Sequence, residues 1–93
     1  MRTIRRTTQF KRDYKREAKG RFAKTLEDDL RAILSLLMSD ARLPEKYRDH
    51  PLAGEWKDFR DCHVRPDLVL IYRKPDGETL ELVRLGSHSE LSF

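Results

Sequence analysis

The sequence predicts one mixed α/β (α+β) domain with the element order β-α-α-β-β-β. Two consecutive stretches carry apolar residues at helical spacing, and three later stretches rich in β-formers are separated by Pro, Asp and Gly turns. The length of 93 residues suits a single domain spanning 1–93. We expect an antiparallel sheet with an N-terminal αα-hairpin packed on one face and the active surface on the other.

The first two elements are a short strand and a basic helix. Residues 2–7, RTIRRT, fit a strand better than a helix. From Thr8 onwards, Phe10, Tyr14 and Ala18 follow at i, i+4 and i+8 with basic residues between them, until Gly20 ends the pattern. This spacing predicts an amphipathic basic helix.

A second helix is predicted immediately afterwards. Its wide apolar stripe suits core packing and comprises Phe22, Leu26, Leu30, Ile33, Leu34 and Leu37. Thr25 and Asp28 have capping-box spacing, whereas Phe22 favours an earlier start. The segment that follows, SDARLPEKYRDHPLAGEWKDF, is interrupted by proline and glycine, and a loop of this length often carries a functional site.

Three strands are predicted in the second half, at 55–64, 68–74 and 79–85. Pro66-Asp67 and Pro75-Asp76-Gly77 provide the turns of an antiparallel meander. The middle segment, LVLIYRK, is apolar at each of its first five positions, which predicts a central strand covered on both faces.

The charge balance favours a polyanionic partner. Lys and Arg number 20 against 16 Asp and Glu, and the excess is concentrated in the first quarter of the chain. A solvated helix face would explain the same charge run, so charge alone does not choose among RNA, DNA and an acidic protein. No apolar segment is long enough to span a bilayer, and the single Cys62 forms no internal disulfide, so we expect a cytoplasmic protein with no membrane partner.

All three histidines fall outside the predicted helices: His50 in the long loop, His63 near a strand end and His88 just beyond the last strand. Strand alternation places Cys62 and His63 on opposite faces, so His63 lies on the outer surface if Cys62 fills the core. Taken singly, His50 and His88 fit loop residues and Asp67 an ordinary turn residue. Without CxxC or HxxxH spacing, a zinc site is disfavoured.

This residue set suits proton transfer at a phosphodiester. Imidazoles and a carboxylate could take the proton from an RNA 2′-hydroxyl and protonate the departing 5′-oxygen, without metal or cofactor. An arginine such as Arg84 could neutralise charge that develops on the phosphoryl oxygens.

The second half of the chain resembles a known family. The motifs DHPL, GEWK, RDCHVRPD, LIY and RLGSH occur in the order found in the YafQ branch of the RelE/ParE superfamily, which comprises toxins of bacterial type II toxin–antitoxin systems. The resemblance implies a small microbial-RNase-like RelE fold. It also implies an mRNA interferase, a ribosome-dependent endoribonuclease that cuts mRNA in the A site of the 70S ribosome and is neutralised by a cognate antitoxin.

The same resemblance assigns site residues. The catalytic set falls on His50, His63, Asp67 and His88. The family's phosphate-facing arginine falls on Arg84, and further RNA contacts are expected from Lys57, Arg60 and Phe93. Ribosome docking is expected, from its charge, of the basic helix through Lys11, Lys15 and Lys19. Two positions depart from the pattern, because Leu68 replaces a common aromatic residue, and Ser92 stands where the family has a base-contacting Phe, which Phe93 could replace one position later.

The division of roles stays open among four candidates. We favour His88 as general acid, His63 or Asp67 as base and His50 as the group that orients the phosphate; a carboxylate is a weak base at neutral pH, which favours histidine. Two other functions stay open. A ParE-like inhibitor of DNA gyrase would share the fold but needs no histidine set, and a noncatalytic RNA- or ribosome-binding module would explain the basic charge.

Overall fold

A computed structural model describes residues 1–91 and shows a five-stranded sheet in the order β1-β5-β4-β3-β2. The α+β class is confirmed. Phe93, predicted to contact RNA, lies outside the described residues. The elements are β1 (Thr3–Arg6), α1 (Thr8–Glu17), α2 (Leu26–Met38), β2 (His50–Pro51), β3 (Arg60–Arg65), β4 (Leu68–Arg73), β5 (Thr79–Gly86) and α3 (His88–Leu91).

The sheet is not entirely antiparallel. Strands β3, β4 and β5 form the predicted meander, but β1 runs parallel to β5, with Thr3 opposite Thr79 and Arg6 opposite Leu82. The expectation of a purely antiparallel sheet is therefore wrong at this edge. Residues 7–78 connect the two strands, and a connection this long, unlike a tight hairpin, permits parallel pairing.

The two longer helices differ in how their N-terminal ends are capped. The Thr7 hydroxyl caps α1 by accepting a 3.0 Å hydrogen bond from the Phe10 N–H. Helix α2 begins at Leu26, later than Phe22 suggested, and the predicted capping box does not form because Thr25 makes no side-chain cap bond. Within residues 1–91 no helix is long and apolar enough to cross a membrane.

Both helices pack on the same face of the sheet and bury the main core. The α2 stripe is buried at Leu26, Leu30, Ile33 and Leu37, as predicted. Together with Phe10 of α1 it meets the inward-facing side chains of the sheet, among them Cys62, Leu70 and Leu82. Removal of apolar surface from water is the main stabilising contribution in such a core.

A smaller apolar cluster covers the other face of the sheet. Val69 and Ile71 of β4 pack there with Leu91 of α3 and with loop residues that include Trp56 and Phe59. Since Leu68 to Tyr72 are all buried, the prediction that the middle strand is covered on both faces is confirmed. The predicted strand at 55–64 begins only at Arg60, because Gly54–Trp56 forms a 3-10 turn.

Candidate active site

Strand alternation places two polar side chains of β3 on the face away from the helices. Asp61 is opposite Ile71 and His63 is opposite Val69, and both partners belong to the outer cluster. Cys62, between them, points into the main core and is fully buried. The prediction that Cys62 and His63 face opposite ways is confirmed. Burial raises the pKa of the Cys62 thiol, so this cysteine is not an activated nucleophile.

His50 reaches the same face through a short edge strand that the sequence did not predict. Residues His50–Pro51 pair antiparallel with β3, and His50 is directly opposite Asp61. Nδ1 of the imidazole lies 2.8 Å from the carbonyl oxygen of Arg48. Because a carbonyl oxygen can only accept, Nδ1 must carry the proton in this contact. Nε2 then faces the carboxylate of Asp61, with 3.1 Å between Nε2 and Oδ1.

His88 comes to the site on a helical turn rather than in the predicted loop. Ser87 and Glu90 form a reciprocal capping box, in which Glu90 Oε1 accepts from the Ser87 N–H at 2.9 Å and Ser87 Oγ accepts from the Glu90 N–H at 3.2 Å. His88 is therefore the first residue of α3. Its ring lies 5.2 Å, between centroids, from the ring of His63.

Asp61 lies among the three histidines and was not predicted as a site residue. It is 1% exposed, and neither carboxylate oxygen has a hydrogen-bond partner among the described residues, so its contact with His50 is electrostatic. Burial raises the pKa of Asp61, and positive charge on His50, His63 or His88 opposes that shift. The sequence did contain a signal for Asp61, because it precedes His63 by two residues on a predicted strand and the two side chains therefore share a face.

Asp67 lies in the turn between β3 and β4. Its half-exposed side chain pairs with Arg21, which follows α1 in the chain. The structure thus brings together the three histidines and Asp61, whereas Asp67 occupies an ion pair at the end of the hairpin. Its catalytic role stays a prediction.

The predicted phosphate-binding cations have different surroundings. Arg84 donates from Nε to Asp13 at 2.8 Å and is one quarter exposed. Arg60 points to the helix side of β3, where its guanidinium nitrogens lie 3.2 and 3.3 Å from the Asp49 carboxylate. Lys57 is exposed in the loop before β3. Their roles toward RNA stay predictions.

The predicted docking lysines are all exposed on the helical side of the molecule. Lys11 and Lys15 lie on α1, and Lys19 follows its C-terminal end. Lys11 and Lys15 also border a groove of about 660 Å³ between α1 and α2. The groove has an apolar floor that includes Leu30 and Leu34.

Comparison with known proteins gives the family. The profile described as "Bacterial toxin of type II toxin-antitoxin system, YafQ" matches residues 2–93. The mRNA interferase toxin YafQ of Escherichia coli strain B is 38% identical over 85 residues, which cover 81% of this chain and 91% of that protein. The putative toxin YafQ of Haemophilus influenzae is 45% identical over 60 residues, which cover 61% of this chain and only 59% of that protein.

Solved structures agree with this assignment. YafQ in the crystal structure of the E. coli DinJ-YafQ complex superposes with a TM-score of 0.79 at 34% identity, and the match covers 98% of each chain. A metal-bound toxin from Helicobacter pylori gives a TM-score of 0.81 at 42% identity over 98% of this chain and 99% of that one. In the part of this chain that the structure describes, no three His, Cys, Asp or Glu side chains are grouped as a metal site. The prediction from the sequence motifs is confirmed, and the chain belongs to the YafQ family of bacterial type II toxins.

Proposed function

We propose that this protein is an mRNA interferase that cleaves mRNA on the ribosome by acid-base catalysis. The observation that supports this most strongly is the convergence of His50, His63 and His88 around the buried Asp61. Several imidazoles beside one carboxylate provide both a proton acceptor and a proton donor near neutral pH. Relatives named mRNA interferase toxin support the same reaction.

The reaction is a transesterification within the RNA. A base removes the proton of a 2′-hydroxyl, the 2′-oxygen bonds to the adjacent phosphorus, and the bond from phosphorus to the 5′-oxygen breaks. An acid protonates that 5′-oxygen, so the products are a 2′,3′-cyclic phosphate and a free 5′-hydroxyl. The protein returns to its starting protonation state after proton exchange with water.

The geometry suggests how the roles are divided. His88 is exposed on α3 and is our candidate for the general acid, and the neighbouring His63 is our candidate for the base. Asp61 stabilises an imidazolium beside it by charge, and His50 orients the phosphate. Asp67 remains the alternative base, and would have to separate from Arg21 before acting.

The partners follow from charge and from the relatives. An excess of four positive charges, with exposed lysines along α1, suits ribosomal RNA, and Arg84 and Lys57 are candidates for phosphate contacts. E. coli YafQ was crystallised in a DinJ-YafQ complex, so we assign this chain a cognate antitoxin as well. The apolar groove rimmed by Lys11, Lys15 and Arg31 suits an amphipathic, acidic antitoxin segment. Because ribosomes lie in the cytoplasm, we assign the protein to the cytoplasm as well.

The deciding experiment maps mRNA 5′ ends on programmed ribosomes after addition of the wild type or of His88→Ala. We expect new ends within the A-site codon for the wild type, and a single-turnover rate lower by about a hundredfold or more for the variant, the usual scale for loss of a general acid. Ribosome affinity, measured in parallel, should be nearly unchanged. Cleavage at the wild-type rate by His88→Ala, or arrest of translation without new ends, would contradict the proposal.

A further inference from the structure

On the side of β5 away from β4, the C-terminal end of the strand is held by side chains of α1 instead of by another strand. The paired part of β1 ends opposite Leu82. Beyond it, Asp13 Oδ2 accepts the backbone N–H of Leu85 at 3.0 Å, and Arg16 Nη2 donates to the carbonyl oxygen of the same residue at 2.8 Å. One turn of α1 therefore satisfies both backbone groups of Leu85, which a neighbouring strand would otherwise do.

Arg16 also reaches α3, which carries His88. Its Nε lies 3.0 Å from Oε2 of Glu90, and its Nη1 lies 3.0 Å from Oδ1 of Asp13. Glu90 is the same residue whose other oxygen closes the capping box on Ser87. A single guanidinium thus connects α1, the end of β5 and the helical turn of the candidate acid.

Gly86 permits this close approach. A Cβ atom at this position would lie 2.8 Å from Nη2 of Arg16 and 3.2 Å from Oε1 of Glu90. Both distances are shorter than ordinary van der Waals contact, so any side chain there would displace the guanidinium.

We propose that Arg16, Glu90 and Gly86 form a latch that positions His88 against His63; its importance for cleavage rests on the function proposed above. Helix α3 has four residues, too few to be stable without outside contacts. Its orientation therefore depends on contacts such as the latch and the packing of Leu91 in the outer cluster. Because proton transfer requires close placement of the acid, loosening α3 slows the reaction without changing the chemical groups.

The test compares Arg16→Met with Arg12→Met, an exposed arginine on the same helix. In the free protein, we expect Arg16→Met to weaken the NOE between the His63 and His88 ring protons, whereas Arg12→Met should leave it unchanged. On programmed ribosomes, we expect about a tenfold to hundredfold lower single-turnover rate for Arg16→Met. Its ribosome affinity should equal that of the Arg12→Met protein.

Two further variants separate positioning from a general loss of structure. Glu90→Gln breaks the ion pair but keeps an amide oxygen for the Ser87 N–H, and it leaves the contacts of Arg16 to α1 and β5 available, so it should fold and still weaken the NOE. Gly86→Ala should slow cleavage alone but add little in the Arg16→Met background, because the displaced group is already gone.

An unchanged NOE and an unchanged rate in both Arg16→Met and Glu90→Gln would overturn the latch. If the wild type itself cut no mRNA, the proposed function would fail, and the NOE of the free variants would still decide whether the latch holds His88.

Discussion

Nε2 of His50 lies 3.1 Å from Oδ1 of Asp61, and the two side chains differ sharply in exposure, at 51% for the imidazole and 1% for the carboxylate. The buried carboxylate of Asp61 is therefore in contact with an imidazole that is half-exposed to solvent. With Nδ1 committed to the Arg48 carbonyl, the contact is favourable only when a proton resides on Nε2 or on Asp61. This couples the charge of the buried acid to the histidine cluster.

Asp61→Asn should raise the stability of the folded protein while it lowers the rate of cleavage. Burial raises the pKa of Asp61, so ionisation at neutral pH favours the unfolded chain. Asparagine removes that charge at equal size, and we expect the melting temperature at pH 7 to rise by about 4–8 °C, which corresponds to about 1 kcal/mol, as the single-turnover rate falls at least tenfold.

The gain from Asp61→Asn should depend on pH. It should be absent below the ordinary aspartate pKa, where both states are protonated, and should grow as pH rises through the higher pKa of the folded state. Thermal unfolding followed by circular dichroism across this range provides the measurement. An equal or lower melting temperature for the variant at pH 7 would contradict the argument.

Asp13→Asn is expected to have the opposite effect on stability. Burial of Asp13 tends to raise its pKa, but hydrogen bonds from Arg84 and the Leu85 N–H outweigh this and lower the pKa. Its contribution is therefore present above the ordinary aspartate pKa and is lost as pH falls through the lower folded value. We expect urea unfolding at pH 7 to show a loss of about 3 kcal/mol, because Arg84 loses a buried partner. The difference should shrink in acid, and equal stability at pH 7 would refute the assignment.

Charge reversal on α1 should weaken docking and spare chemistry. Glutamate at Lys11, Lys15 and Lys19 should lower ribosome affinity and flatten its dependence on salt, because fewer counterions are released. The rate within the bound complex should stay near that of the wild type. The control reverses three other exposed cations, Lys24, Arg42 and Lys46. Equal loss of affinity in both triple variants would mean that net charge, and not this helix, governs docking.

A cognate antitoxin should stabilise the toxin through the groove between α1 and α2. A partner specific to the folded state raises the melting temperature by mass action. Leu34→Asp, which puts a carboxylate in the apolar floor, should reduce that rise, whereas Ala32→Asp on exposed surface of the same helix should not. Thermal unfolding with and without the purified antitoxin would measure the rise for each variant, and calorimetric titration would measure its affinity. Identical affinity of the two variants would place the antitoxin elsewhere.

Selective removal of transition metals should leave cleavage intact. The proposed steps use imidazole and carboxylate groups alone, so a chelator specific for zinc and copper, added at constant magnesium for the ribosome, should not change the single-turnover rate. Activity that is lost on chelation and restored by zinc or copper would replace this mechanism with a metal-dependent one.

Local pattern was sufficient for much of the fold. Apolar spacing predicted the helices and the central strand, and alternation predicted that Cys62 and His63 face opposite ways. These predictions succeed because the periods of helix and strand determine which side chains share a face. The histidine motifs likewise indicated the family.

The tertiary structure decided what depends on partners distant in the chain. It set β1 parallel to β5, made His50 the neighbour of the buried Asp61, and paired Arg84 with Asp13 and Asp67 with Arg21. No short-range period encodes such pairings, because they arise from strand register and helix packing across the whole domain. The chemistry available at this site therefore depends on residue types that the sequence displays and on a burial that only folding creates.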